Sequence, residues 1–275
     1  MINQMPRSRL FVWLLKKGFP LRSVFARFTK IPILGRIMDY MLFHEDEIIY
    51  IPKDEASVIK IDKEIDHGET IVPSMVIDHF IEEANYHWIM DWCICRSASS
   101  CENYPIDLGC LFLGEAAIQI DPKLGRKVTK EEALLHVQKC REAGLVHLVG
   151  RNKLDTFWLK IGPGNKLLTI CNCCPCCCLW RILPHVSKKI SGKVTKMPGV
   201  AVTVGDGCIG CGTCVETCFV HAIKVVAGRA VINDSCRGCG RCITVCPQKA
   251  IILTIEGTEN IQSSIMKIES LVDVR

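Results

Sequence analysis

Cys208-Ile209-Gly210-Cys211-Gly212-Thr213-Cys214-Val215-Glu216-Thr217-Cys218 is answered twenty-eight residues on by Cys236-Arg237-Gly238-Cys239-Gly240-Arg241-Cys242-Ile243-Thr244-Val245-Cys246. The repeat runs past the cysteines, with Gly212 falling on Gly240, Ala222 on Ala250 and Ile223 on Ile251. Around it lies a chain of 275 residues, half of them apolar, with nineteen cysteines. Such a cysteine count fits either a disulfide-stapled secreted scaffold or metal sites in a reducing compartment. Here the cysteines stand side by side or as Cys-x-x-Cys, neighbours that do not readily pair with each other, and the reading is metal in a reducing cytoplasm. The apolar run Leu10–Leu15 stops at Lys16 and Lys17, too short for a signal sequence or a membrane span.

The repeated text, Cys-x-x-Cys-Gly-x-Cys-x-x-x-Cys, resembles the bacterial two-cluster ferredoxins, in which the fourth cysteine of each run ligates the other cluster. The resemblance implies two [4Fe–4S] clusters, one on Cys208, Cys211, Cys214 and Cys246, the other on Cys236, Cys239, Cys242 and Cys218. In that arrangement three thiolates in a tight turn bind three irons of the cube. Glycine lets the backbone approach the sulfides, and the last ligand comes from elsewhere. Cys246–Pro247 follows the family, whereas Cys218–Phe219 departs from it. The implied fold is a pseudo-twofold βαββαβ module with strands at Val200–Val204, Ile223–Val226, Ala230–Ile232 and Ile251–Ile255. Four-cysteine zinc is the competing use of such ligands.

Two more cysteine groups lie upstream. The first is Cys93, Cys95, Cys101 and Cys110; the second packs Cys171, Cys173, Cys174, Cys176, Cys177 and Cys178 into eight residues. Six thiols in one turn serve no purpose as hydrophobes and invite oxidation. Metal is the natural use, iron–sulfur ahead of zinc given the neighbouring repeat. Adjacent residues point different ways, so the second group cannot direct every thiol at one cube. The expectation is that the two groups meet in the fold. The segment has a faint resemblance to cysteine-dense patches of heterodisulfide-reductase-type subunits and to a layout found in uncharacterised iron–sulfur proteins of anaerobes, which supplies no activity. Cys140 stands alone on a helix and reads as a buried apolar residue.

The remaining chain sets the order of domains. Before Asp39 there are eight Lys or Arg and no acidic residue, on short amphipathic helices broken by Gly18–Pro20 and Pro32. Phe11, Leu14 and Leu15 share one face; Leu21, Val24, Phe25 and Phe28 share another. Such a face either packs on the protein's own core or meets an acidic partner or an anionic membrane. His44–Asp66 alternates as two short strands, with Ile48 and Tyr50, then Val58, Ile59 and Ile61, as the apolar positions. A helix capped by Ser74 carries Val76, Ile77, Phe80, Ile81, Ala84 and Trp88. A second helix opens on the capping box Thr129/Glu132 and stops near Gly144. Strand-like runs follow at Leu145–Val149, Thr156–Ile161 and Leu167–Ile170.

These readings give an α+β chain: basic amphipathic helices (1–44), a cysteine-rich mixed α/β metal-binding domain (45–190), a linker (191–199), the βαββαβ ferredoxin module (200–255) and a C-terminal tail (256–275). No Walker sequence, no Gly-x-Gly-x-x-Gly after a strand and no radical-SAM motif is present, so nucleotide and flavin chemistry have no support. The basic segment lacks the aromatic platforms of nucleic-acid binders. His147, near Arg151 and Lys153, is a candidate proton donor or anion contact if the upstream site binds a substrate; His136 is its neighbour on the preceding helix. The expected function is electron transfer in an anaerobic cytoplasm, as donor or subunit for a partner oxidoreductase, with at least one further iron–sulfur cluster upstream. Two alternatives stand beside it: an oxidoreductase working at an unusual upstream cluster, and a zinc-stabilised scaffold carrying a ferredoxin domain.

Overall fold

Gly18 and Pro20 end the first helix and Pro32 opens the third, at a position where proline's missing N–H costs nothing. In the computed structural model, which describes residues 7–60 and 72–275, α1 is Arg7–Gly18, α2 Arg22–Phe28 and α3 Pro32–Met38. Residues 1–6 of the basic segment and Ile61 of the second expected strand lie outside the described residues. The chain continues through β1 (Glu47–Tyr50), β2 (Ser57–Lys60), α4 (Met75–Glu83), β3 (His87–Met90), α5 (Ile94–Ala98), β4 (Leu111–Leu113), β5 (Gly125–Val128), α6 (Lys130–Glu142), β6 (Val146–Arg151), α7 (Lys153–Leu159), β7 (Leu168–Cys173), α8 (Lys188–Ser191) and β8 (Val194–Lys196). Seven of these strands form one sheet in the order β5-β3-β4-β7-β6-β1-β8, antiparallel except where β8 runs parallel to β1. Its central strands are apolar on both faces because both are covered, as with Leu111, Phe112 and Leu113 of β4.

The remainder is β9 (Val200–Val204), α9 (Thr213–Thr217), β10 (Ile223–Val226), β11 (Arg229–Ile232), α10 (Arg241–Thr244), β12 (Ile251–Glu256) and α11 (Glu259–Glu269). β10 and β11 pair as a hairpin, and β12 lies between β9 and β2. An upstream strand therefore completes the C-terminal sheet, with Leu253–Glu256 in parallel register against Ser57–Lys60. One core runs through both regions: Ile49, Ile77, Phe80 and Leu168 share it with Val200, Leu253, Ile255, Ile261, Ile265 and Ile268. Mixed helix and strand throughout makes the chain α+β.

Local physics corrects several expectations. Thr156–Ile161, expected as a strand, falls largely in α7, whose buried Asp155, Trp158 and Leu159 sit at helical spacing. Trp158 Nε1 donates to Asp155 Oδ1 at 2.8 Å and fixes that turn. Trp88 belongs to β3, since α4 ends at Glu83 and Ala84 is already extended. Ser74 occupies the cap position of α4 without capping it; its own N–H donates to Asp54 Oδ1 at 3.0 Å. The stretch read as a linker holds β8, because Val194 is buried where β8 pairs with β1. The stretch read as a tail holds α11, whose Ile261, Ile265 and Ile268 form a buried stripe.

The Thr129 box forms as expected: Glu132 N donates to Thr129 Oγ1 at 3.2 Å and Thr129 N to Glu132 Oε2 at 2.9 Å. Thr129→Ala should lower stability by about 0.5–2 kcal/mol. The readout is a reduced denaturant midpoint at unchanged slope, measured anaerobically. At the other end of the chain, α2 turns Ala26 to the core and leaves Val24, Phe25 and Phe28 substantially exposed, as is Leu21 in the turn before it, so this apolar face does not pack fully on the protein's own core. Among the described residues no helix is long and apolar enough to cross a membrane.

Candidate metal centres

The sequence repeat is a repeat of geometry. Gly212 and Gly240 stand at φ +83° and +82°, in the left-handed region that favours glycine, and turn the chain into α9 and α10. Cys208, Cys211, Cys214 and Cys246 line one small pocket. Backbone N–H groups reach the sulfurs: Ala230 to Cys208 at 3.3 Å, Gly238 to Cys236 at 3.4 Å, Ala222 to Cys218 at 3.2 Å and Ala250 to Cys246 at 3.3 Å. The last two are the same contact one repeat apart. Such donors stabilise thiolate sulfur and fit iron–sulfur ligation. Cys218, Cys236 and Cys239 pack together against a core cluster that includes Tyr50 and Phe219, and Cys242 is buried beside Cys214.

Phe219, which departs from the proline expected after the fourth cysteine, is buried against Tyr50 with ring centroids 5.1 Å apart. The departure exchanges a turn residue for an aromatic anchor between the module and β1.

Upstream, the two cysteine groups meet, and they sort into two sets that mix both. Cys101, Cys174, Cys176 and Cys177 bring four sulfurs within 4.8 Å of one another, Cys101 and Cys176 at 3.6 Å. A single tetrahedral ion with bonds of about 2.3 Å would hold its sulfurs about 3.8 Å apart. Among the described residues no other set of donors is gathered this tightly; a cube spreads its thiolates wider. The other six, Cys93, Cys95, Cys110, Cys171, Cys173 and Cys178, line a cavity of about 380 Å³ beneath α1 and α2. β7 delivers Cys171 and Cys173 to its wall, and the turn after it brings Cys178 Sγ to 3.0 Å from Cys173 Sγ. Cys140 is fully buried, and burial pushes its thiol up to about 12, as befits a core residue.

The polar candidates go elsewhere. His147 is buried, and burial pushes its imidazole down to about 3, so it stays neutral at ordinary pH. Asn172 Nδ2 donates to Gly109 O at 2.6 Å, which turns Asn172 Oδ1 toward His147. Nδ1 of His147 therefore carries the proton and donates to Asn172 Oδ1 at 2.8 Å. His147 thus fixes the residue between Cys171 and Cys173. His136 Nε2 lies 2.9 Å from Gly109 O on the same network. Arg151 pairs with Glu45 at 2.7 Å and Lys153 donates to Tyr40 O at 2.7 Å. None of His147, Arg151 and Lys153 lines the cavity.

Two arginines that sequence reasoning passed over are central. Arg96 is fully buried and donates to Asn172 O at 2.7 Å and to Leu108 O. Arg241 is nearly as buried and donates to Cys173 O. Burial works against the Arg241 charge, and Cys239, Tyr50, Cys173 and Cys178 more than offset it. The available signal was a cation written inside a cysteine motif, Cys95–Arg96 and Cys239-Gly240-Arg241-Cys242.

Comparison with curated proteins and with solved structures gives no match over the chain. The family model described as the 4Fe-4S dicluster domain matches residues 207–250, the stretch that holds both cysteine runs. Through that module the chain is an iron–sulfur protein.

Proposed function

We propose that the chain is an electron-transfer protein, donor or subunit for a partner oxidoreductase, with two [4Fe–4S] clusters in a pseudo-twofold βαββαβ module at 200–255 and at least one further cluster in the cysteine-rich region 45–190. Cys208, Cys211, Cys214 and Cys246 hold one C-terminal cluster; Cys236, Cys239, Cys242 and Cys218 hold the other. The reading is carried by the pocket in which Cys246 joins the first run of thiols, inside a matched dicluster domain. Two clusters bound by cysteine alone leave no open iron position and suit them to single-electron traffic. The basic N-terminal helices, with Ile33 77% and Tyr40 66% exposed, present the surface for an anionic contact, on the redox partner or on a membrane.

One observation favours zinc locally: the sulfur spacing of Cys101, Cys174, Cys176 and Cys177 is that of a single tetrahedral ion. Anaerobic iron, sulfide and zinc analysis tests the whole reading. The two C-terminal cubes account for about eight irons per chain with equal sulfide. Reduction should give the broadened EPR signal of two interacting clusters. A colourless chain loaded with zinc would sink the proposal.

A further inference from the structure

Once the four-thiol set is gathered and buried Cys140 is set aside, six upstream cysteines remain, and all six line one cavity, which Cys174 of the four-thiol set also borders. At about 30 Å³ per liquid water, its 380 Å³ would hold about a dozen waters. Its walls do not suit water. Phe11, Leu15, Phe25 and Trp158 line it together with the thiols. A single zinc does not fit either, since it takes four ligands at about 2.3 Å and would leave thiols idle across a space this wide.

The electrostatics call for an anion. Arg96 lines the cavity, is fully buried, and its Nε has no partner. Arg241 is buried behind Cys173, and its Nε and Nη1 have no partner. Among the described residues neither arginine has a salt bridge to a carboxylate. Asp155, the one carboxylate on the cavity wall among the described residues, is engaged by Trp158, Asn152 and Thr169. Two buried cations cost several kcal/mol each unless negative charge faces them. Thiolates gathered around metal supply that charge.

We propose that this cavity is an iron–sulfur site distinct from the four-thiol set, where Cys93, Cys95, Cys110, Cys171, Cys173 and Cys178 hold a multinuclear cluster whose charge Arg96 and Arg241 balance. The proposal rests on the reading that the upstream region binds iron–sulfur, and it says where. It also accounts for α1 and α2, whose Phe11, Leu15 and Phe25 line the centre, an apolar shell of the kind that tunes a cluster's potential. Arg241 belongs by sequence to the run Cys236–Cys246 and by contact to Cys173, so one guanidinium adjoins both the C-terminal module and the cavity.

The test uses the full chain reconstituted anaerobically with iron and sulfide. Two C-terminal cubes give about eight irons. The cavity cluster should raise the count to about twelve or more, and iron-edge anomalous diffraction should place the excess among the six sulfurs. The double substitution C173S/C178S should return the count toward eight and spare the C-terminal EPR signal, while C176S/C177S should leave the excess iron in place. A count of twelve that falls with C176S/C177S and not with C173S/C178S would overturn this assignment yet keep an upstream cluster. A count of eight with the remaining thiols empty or holding zinc would overturn both. Where a double variant fails to fold, the wild-type count and anomalous map decide.

Discussion

Cys208→Ser and Cys246→Ser should each destroy the same C-terminal cluster and leave the other intact, although thirty-eight residues separate the two cysteines. Both line the pocket that Cys211 and Cys214 complete, and each sulfur accepts a backbone N–H, Cys208 from Ala230 and Cys246 from Ala250. β12 pairs with β9 from Ile251 opposite Val204, which carries Cys246 back to the start of the first run. Cys218 packs against the core cluster that Cys236 and Cys239 also border, and against the one that holds Cys214 and Cys242. In each variant about four irons should be lost from the module, and the reduced EPR spectrum should narrow from two interacting spins to one isolated cluster. The same residual spectrum should appear in both. If Cys246→Ser instead matched Cys236→Ser, the crossed ligation would be wrong. The functional cost is large in either case, because a chain of electron carriers with one member missing passes current only across the longer gap.

The resemblance carried by the two Cys-x-x-Cys-Gly-x-Cys runs named the C-terminal cysteines, and the fold brings four of them, Cys208, Cys211, Cys214 and Cys246, to one pocket because the pattern is local. The sequence carried the capping box at Thr129 and the breaks at Gly18 and Pro32 for the same reason: each is a local rule satisfied within four residues. What it missed is long-range. Nothing local says that Ser57–Lys60 will lie beside Leu253–Glu256, or that the eight-residue cysteine segment will be divided, three of its thiols gathering with Cys101. The division follows from side-chain direction. Cys173 and Cys178 converge at 3.0 Å across the turn, while Cys176 and Cys177 gather with Cys101 and Cys174, the last of which also borders the cavity. Arg96 and Arg241 were visible as letters, but their weight depends on burial, which only packing reveals. His147 drew attention for its basic neighbours; in the fold Arg151 and Lys153 point to other partners, and the imidazole serves the backbone between two cysteines.

A fragment limited to residues 45–190 should fail to fold cooperatively, even with iron and sulfide supplied. The boundary looks natural in the sequence, since it brackets eleven cysteines, but the core does not respect it. Val200, Leu253, Ile255, Ile261, Ile265, Ile268, Val272 and Val274 all lie in the same buried cluster as Ile49, Ile51, Val76, Ile77 and Phe80. A fully buried aliphatic side chain contributes about 1.5–3 kcal/mol. Eight of them, even at the low end, amount to about 12 kcal/mol, against a net stability of about 5–15 kcal/mol for a whole domain. The truncation would also strip β12 from β2 and β8 from β1, leaving two unpaired sheet edges that invite aggregation. The Arg275–Glu83 ion pair at 2.8 Å goes too, but both partners are exposed and its loss is minor. The measurement is thermal or denaturant unfolding of the anaerobic fragment followed by circular dichroism, with size-exclusion chromatography alongside. The expected result is a broad, non-cooperative transition and soluble aggregate. A monomeric fragment with a sharp transition and bound iron would mean that the upstream cysteine region holds itself together, with α11 and β12 as mere cover. The shared core would then add nothing essential, and the two regions would be separately folding electron carriers joined in series.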